Sequence, residues 1–309
     1  MLFRFIAGPI LNLILAAAAW KKEAVTIGGS IGGFIIGTAL FAAGGFLVWV
    51  VLGVFFVGST ILSRYKKKMK EQYQFIHSKH DRRDFVQVFA NGGIGAVWAV
   101  LYLVLQHPMF LVGCIASYAA ANADTWASEI GILSKTSPRS IVTGKPLEAG
   151  MSGGVTRLGF NISFVGAGVI ALLFFAGLTL YDIFSIEVFP GILALSSVKT
   201  AVVSAIATVI IAFAGFLGSI TDSFLGATIQ AQYRDEKTGN ITERAKQYET
   251  TPDSLITGKE KGKNAASKKV KNHHIRGFRW MSNDTVNFIS IIVASSLAVL
   301  AFALVYGAF

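Results

Sequence analysis

Six stretches of this chain contain no Asp, Glu, Lys or Arg: residues 5–20, 24–63, 85–123, 158–181, 200–221 and 285–309. Uncharged runs of that length suit hydrocarbon, where an ionised side chain is costly. One helical crossing of a bilayer takes about 20 apolar residues. The 24–63 and 85–123 runs are long enough for two crossings each, with small or polar turns available at Ala43-Gly44-Gly45 and Gln106-His107-Pro108. The other four runs hold one each. The expectation is an all-α, polytopic bundle of about eight transmembrane helices near 3–20, 24–42, 45–62, 88–105, 109–123, 161–181, 200–217 and 286–307. It forms a single membrane domain over 1–309. Composition agrees: 53% of the residues are hydrophobic and only 15% charged, against about 25% charged in a soluble domain. The first apolar run reads as a true span rather than a removed signal.

The charges that remain are unevenly placed. Of 28 Lys and Arg residues, 24 fall in three segments, 64–84, 129–157 and 233–279. Basic loops are retained in the cytoplasm, and an eight-span topology puts all three there, with both termini outside. The loop near Asp182 and Glu187, purely acidic, then falls outside. This bias accounts for the net charge of +11 without a nucleic-acid partner. The lone Cys114 excludes a disulfide framework and a cysteine-based zinc site. In the long basic loop 233–279, Lys237-Thr238-Gly239-Asn240 is a hairpin turn signal. Its Lys-rich part, 258–276, reads as a small excursion rather than a separate domain. The adjacent His273 and His274 are poorly arranged for a shared metal.

Polar residues capable of chemistry gather at helix ends on that same side. Asn122, Asp124, Thr125, Ser128 and Glu129 close the fifth span. A loop with Ser137, Arg139, Thr143, Lys145, Glu148, Gly150, Gly153 and Gly154 follows. Glycines let backbone N–H groups turn inward around an anion. Arg and Lys are the side chains that grip phosphate oxygens. Carboxylates beside such a loop suggest magnesium with a phosphorylated ligand. Three further clusters share this depth: Ser219, Asp222 and Ser223; Asn283, Asp284 and Asn287; and Arg83, Gln87 and Asn91. Asp124, Asp222 and Asp284 are therefore the candidate metal ligands. No soluble phosphate-binding fingerprint and no Ser/His/Asp or Cys/His arrangement is present.

These motifs, in this order, resemble one family. Asn122-x-Asp-Thr-Trp-Ala-Ser-Glu129, Ser137-Pro-Arg139 and Gly150-x-x-Gly-Gly-Val-Thr156 carry the resemblance, with Asp222-Ser223, Asn283-Asp284 and Gln87-x-x-Ala-Asn91. The chain is identified as a member of the integral membrane family containing plant phytyl-phosphate kinase and animal transmembrane protein 19. The element running from Asp124 to Gly154 is also, more distantly, similar to phosphatidate cytidylyltransferases and polyprenol kinases, which implies a CTP- or NTP-binding face and Mg2+. Met151 stands where the family pattern has a small polar residue.

The resemblance implies transfer of a phosphoryl group from an NTP, CTP being favoured, to an isoprenoid monophosphate. Asp124, Glu129, Arg139, Lys145 and Asp222 would be catalytic. Arg83, Gln87, Asn91, Asn122, Thr125, Ser128, Ser137, Thr143, Gly153, Gly154, Ser219, Ser223, Asn283 and Asn287 would bind substrate. The lipid tail would lie near Phe85, Phe89 and Trp126. Cytidylyl transfer and a transporter or channel stand as alternatives. The expected partners are the bilayer, a nucleoside triphosphate and an isoprenoid lipid phosphate, with a homo-oligomer left open.

Overall fold

The computed structural model describes residues 2–66, 69, 82–183, 197–236, 238–248 and 269–307. The Lys-rich segment 258–268 and the acidic loop around Glu187 lie outside them. Seven helical segments are described: α1 (Leu2–Lys21), α2 (Ile27–Arg64), α3 (Phe85–Leu105), α4 (Pro108–Gly131), α5 (Arg157–Ile183), α6 (Ser197–Thr228) and α7 (Asn283–Tyr306). All but α4 are long and apolar enough to cross a membrane. Large apolar side chains such as Phe3, Ile10, Leu172, Val209 and Leu304 stay exposed on helix surfaces, as a lipid environment requires.

Segment α2 is two helices. Gly45 has φ 76° and ψ −171°, which breaks the helix. In a straight helix Ser30 and Arg64 would stand about 51 Å apart. Yet the Ser30 hydroxyl donates to the Ala16 carbonyl at 3.2 Å and the Arg64 guanidinium to the Lys22 carbonyl at 2.8 Å. Both ends of α2 therefore meet the same end of α1, while the Arg4 guanidinium sits beside Gly45 at the other. The chain reverses at Gly45, as the Ala43-Gly44-Gly45 turn predicts, which brings the number of helical passes to about eight. An impermeant maleimide should thus label Phe46→Cys and Thr136→Cys from opposite sides of the membrane, Cys114 itself being buried. A single crossing would bury position 46 at the midplane and leave it unlabelled.

Helix α4 is the axis of the bundle. Every residue from Pro108 to Ala123 except Met109 is buried, and α3, α5, α6 and α7 all pack on it. Its Ala, Gly and Ser residues let the other helices come close, the usual means of association where lipid supplies no hydrophobic drive. A Cβ at Gly215 or Gly218 of α6 would stand 2.7 or 2.6 Å from the Cβ of Ala119 or Ala120. The same small residues make α4 less apolar than its neighbours.

Helix starts follow local capping chemistry. Thr26 caps α2 by accepting from the Gly29 N–H, and Ser282 caps α7 by accepting from the Thr285 N–H. Asp84 and Gln87 form a reciprocal capping box on α3, which satisfies two otherwise orphaned donors. The helices bearing polar clusters run beyond their uncharged stretches: α4 continues from Ala123 to Gly131 and α6 from Thr221 to Thr228.

Three small β-sheets follow α4 and α6 among the described residues. Strands β1 (Arg139–Ser140) and β2 (Gly154–Val155) pair antiparallel in the loop after α4. After α6, β3 (Gln232–Arg234) pairs with β4 (Ile241–Thr242) on one side and β7 (His273–Arg276) on the other. Strands β5 (Lys246–Tyr248) and β6 (Lys269–Lys271) form a further antiparallel pair. The β3–β4 connection contains the expected turn, with Gly239 at φ 72° and the Asp235 carboxylate accepting from the Thr238 N–H at 3.0 Å. His274 packs edge-on against Tyr233 and its neighbour His273 is exposed.

Candidate functional site

A cavity of about 930 Å³ opens among the polar helix ends and runs on between α1, α2 and α3. Asp124 on α4 and Asp222 on α6 both line it. They lie close enough to act on each other electrostatically, and Glu243 adds a third negative charge acting on Asp222. Each aspartate has a hydroxyl partner from a neighbouring helix: Ser219 hydrogen-bonds Asp124, and the Ser290 hydroxyl points to Asp222 at 3.5 Å. Like charges placed together below a membrane surface are costly.

Asn287 supplies a further oxygen. It lines the cavity from the first turns of α7, and its buried carbonyl oxygen has no hydrogen-bond partner among the described residues. Buried polar atoms are nearly always satisfied, and this one faces a cavity from which a partner could reach it. Asp284, buried on the N-terminal turn of α7, and Asn283 also line the cavity. Among the described residues no three His, Cys, Asp or Glu side chains gather as a ready cation cage. Asp124 and Asp222 form the central pair, and Asp284 lines the same cavity.

On the opposite wall, Arg83 is pinned from both directions. Its backbone exchanges hydrogen bonds with Ala24 and Thr26, and its guanidinium donates to the Thr60 hydroxyl at 3.0 Å and lies over the Phe56 ring. Burial pulls the guanidinium below its ordinary value, and the Glu129 carboxylate opposes that shift. Glu129 accepts from the Ser63 hydroxyl at 2.6 Å. Gln87, Asn91, Thr125, Ser128 and Ser223 add to the polar lining. Gln87 also serves the capping box, and its carbonyl accepts from the Asn91 carboxamide at 2.9 Å.

The Gly-rich loop forms one wall through Gly150, Met151, Ser152, Gly153 and Gly154. Its glycines act mainly in packing and turning. Gly153 has φ 80°, and a Cβ there would overlap Ala227 of α6. The Gly154 N–H already donates to the Met151 carbonyl at 3.1 Å, so it is not an anion donor. Other predicted residues lie elsewhere. Arg139, Thr143 and Lys145 are exposed on the arm of this loop, outside the cavity lining, and the Arg139 guanidinium donates to the Gly144 carbonyl. Ser137 is exposed, and Asn122 is buried with its carboxamide bonded to the Gly166 carbonyl.

In their place the structure brings in residues with no motif around them. Glu243 and Arg244, which directly follow β4, line the cavity. The Glu243 carboxylate accepts from the Ser152 hydroxyl and from the Gln230 carboxamide, tying the β sheet to the Gly-rich loop and to the end of α6. The only sequence signal for this pair is their place in the long basic loop.

The profile of the family described as Integral membrane protein DUF92 matches residues 10–295. The chain belongs to this family. Protein PGR of Arabidopsis thaliana is 30% identical over 313 aligned residues, covering 97% of this chain and 96% of PGR. An uncharacterized membrane protein of Methanocaldococcus jannaschii is 33% identical over 174 residues, 55% of this chain and 70% of its own. One from Synechocystis sp. is 29% identical over 177 residues, 55% and 68% of the two chains. No solved structure matches. The match to PGR runs through every helix end that lines the cavity, so the site belongs to the part of the chain the two proteins share.

Proposed function

We propose that this family member is a membrane phosphotransferase that moves the γ-phosphoryl group of a nucleoside triphosphate, CTP being favoured, onto an isoprenoid monophosphate. The observation that carries this reading is the facing pair Asp124 and Asp222, with the unpartnered Asn287 oxygen, at the polar end of a cavity that continues into an apolar interior. Those oxygens are hard donors that fit Mg2+, which takes one or two carboxylates and fills its remaining positions with water and phosphate. When bound, the ion would neutralise charge on the transferring phosphoryl group. Arg83 and Arg244 are the guanidinium groups on the cavity wall, and they would hold phosphate oxygens in a fixed orientation. The acceptor's phosphate oxygen attacks the γ-phosphorus, the bond to the β-phosphate oxygen breaks, and the nucleoside diphosphate leaves. A phosphate monoester is already an anionic nucleophile, so positioning and charge neutralisation suffice without a histidine base. The Lys and Arg bias of the loops supports a cytoplasmic orientation for this face, where nucleotide is available.

The test is transfer of label to lipid by purified protein given magnesium and prenyl monophosphates. Label arriving from γ-labelled and not α-labelled CTP supports the proposal. Label arriving from the α position makes the protein a cytidylyltransferase, and no transfer to any acceptor overturns both enzymatic readings. Within the active protein, Arg244→Ala is expected to lower kcat/KM about ten- to hundredfold, the worth of a charge-assisted hydrogen bond. Arg139→Ala, exposed and outside the cavity lining, is expected to change it less than about threefold. Steady-state kinetics on the two variants checks this ranking.

A further inference from the structure

The cavity has a second, apolar branch that the phosphate chemistry does not use. It passes between α1 and the two halves of α2, with Ala16, Ile36, Leu52, Phe55 and Val88 among its walls. Ser63 lines its mouth and Trp49 its inner end. These two residues lie about 21 Å apart along a helix axis. The branch therefore descends through more than half of the hydrocarbon layer.

Its polar groups are all matched internally. The Asn12 carboxamide donates to the Gly8 carbonyl at 2.9 Å and accepts from the Trp49 indole at 3.0 Å. The Ser30 hydroxyl is given to the Ala16 carbonyl. Water needs free polar partners to occupy such a space, whereas hydrocarbon needs none. The inner end is also stiff. Trp49 is flanked by Phe41 edge-on and Phe46 stacked, each at 5.9 Å. Gly37 allows Asn12 to sit there, because a Cβ would collide with its carboxamide oxygen. Two wall glycines behave oppositely. A Cβ on Gly33 or Gly53 would meet nothing within 4 Å, so neither is required by helix packing. Both face open cavity.

We propose that this branch is a slot for one hydrocarbon chain of the acceptor lipid, with the Asn12–Trp49 pair as its floor and Gly33 and Gly53 keeping its bore open. The slot then selects acceptors by chain length. This rests on the lipid-phosphate reading above but assigns the tail to different residues from Phe85, Phe89 and Trp126. Phe85 and Phe89 stack on each other at 4.7 Å, and neither they nor Trp126 line the cavity.

Geranyl, farnesyl and geranylgeranyl phosphates carrying a diazirine at the tail end provide the test on the full-length protein in detergent. Photolabel from the longest probe is expected on peptides containing Asn12 or Trp49. Gly53→Leu and Gly33→Leu should each cut labelling by the longest probe about tenfold, while geranyl phosphate stays within about twofold of wild type. Label spread over the lipid-facing surfaces of α5, α6 and α7 would overturn the slot. So would monodisperse Leu variants that label like wild type with every probe. Should both variants aggregate, the label position in the wild-type protein decides alone. Slot labelling without phosphoryl transfer keeps this proposal and removes the kinase reading. Phosphoryl transfer whose chain-length preference ignores both variants does the reverse.

Discussion

Replacing Asp124 with Asn is expected to lower kcat by at least about a thousandfold while leaving the protein folded, membrane-inserted and no less heat-stable. Asn keeps the size of the carboxylate and an oxygen for Ser219, so the α4–α6 contact survives. What it removes is one of two carboxyl groups that act on each other electrostatically. The same change therefore deletes the cation-holding charge and relieves a repulsion, which separates a functional role from a structural one. Asp222→Asn should behave alike, and the double variant should be no worse than either single one, because groups acting as a unit are not additive. Turnover by γ-labelled CTP transfer and a melting temperature measured on the same preparation decide the matter. An active Asp124→Asn protein would leave Asp124 as a cap at a helix end.

Gly153→Val is expected to lower activity about a hundredfold by a different route. At φ 80° the backbone is left-handed, a conformation that costs an L residue about 1–2 kcal/mol. The added Cβ would also overlap Ala227, including its backbone, which cannot rotate out of the way. The Gly-rich loop would have to lift off α6. That would break the 3.1 Å bond from the Ile141 N–H to the Gly153 carbonyl and loosen the Ser152–Glu243 contact. A wall displaced by an ångström lowers turnover about a hundredfold, and limited proteolysis should cut the loop sooner than in wild type. Gly144→Val is the matched comparison. It is left-handed at φ 68° with nothing near its Cβ, so it suffers the strain without the collision. Its activity should stay within about threefold of wild type.

Much of the fold was legible because bilayer physics is severe. Hydrocarbon excludes charge, so the uncharged runs mark the crossings, and the reversal at Gly45 falls where two crossings had to be fitted into 24–63. The helix ends were less legible. Asp124 and Glu129 end an apolar run, but not a helix, because their side chains turn into a cavity rather than toward lipid. The candidate site divides in the same way. Asp124, Asp222, Ser219, Asn287 and Arg83 come from helices whose ends share one depth, and topology alone brings them to one level. Arg139 and Lys145 have suitable chemistry and sequence neighbours, yet an exposed hairpin carries them outward. Glu243 and Arg244 have no recognisable motif and reach the cavity only because β3 and β4 fold back over the end of α6.

The sequence by itself determined that this is a multi-pass membrane protein of the DUF92 family with its polar residues on one face, because charge exclusion and motif order are local properties of the chain. Only the tertiary structure decided which cations meet the carboxylates and where the apolar branch runs. Those depend on which helices stand side by side, and in lipid that choice is made by small-residue contacts such as Gly215 on Ala119 and Gly218 on Ala120, whose partners no linear pattern names.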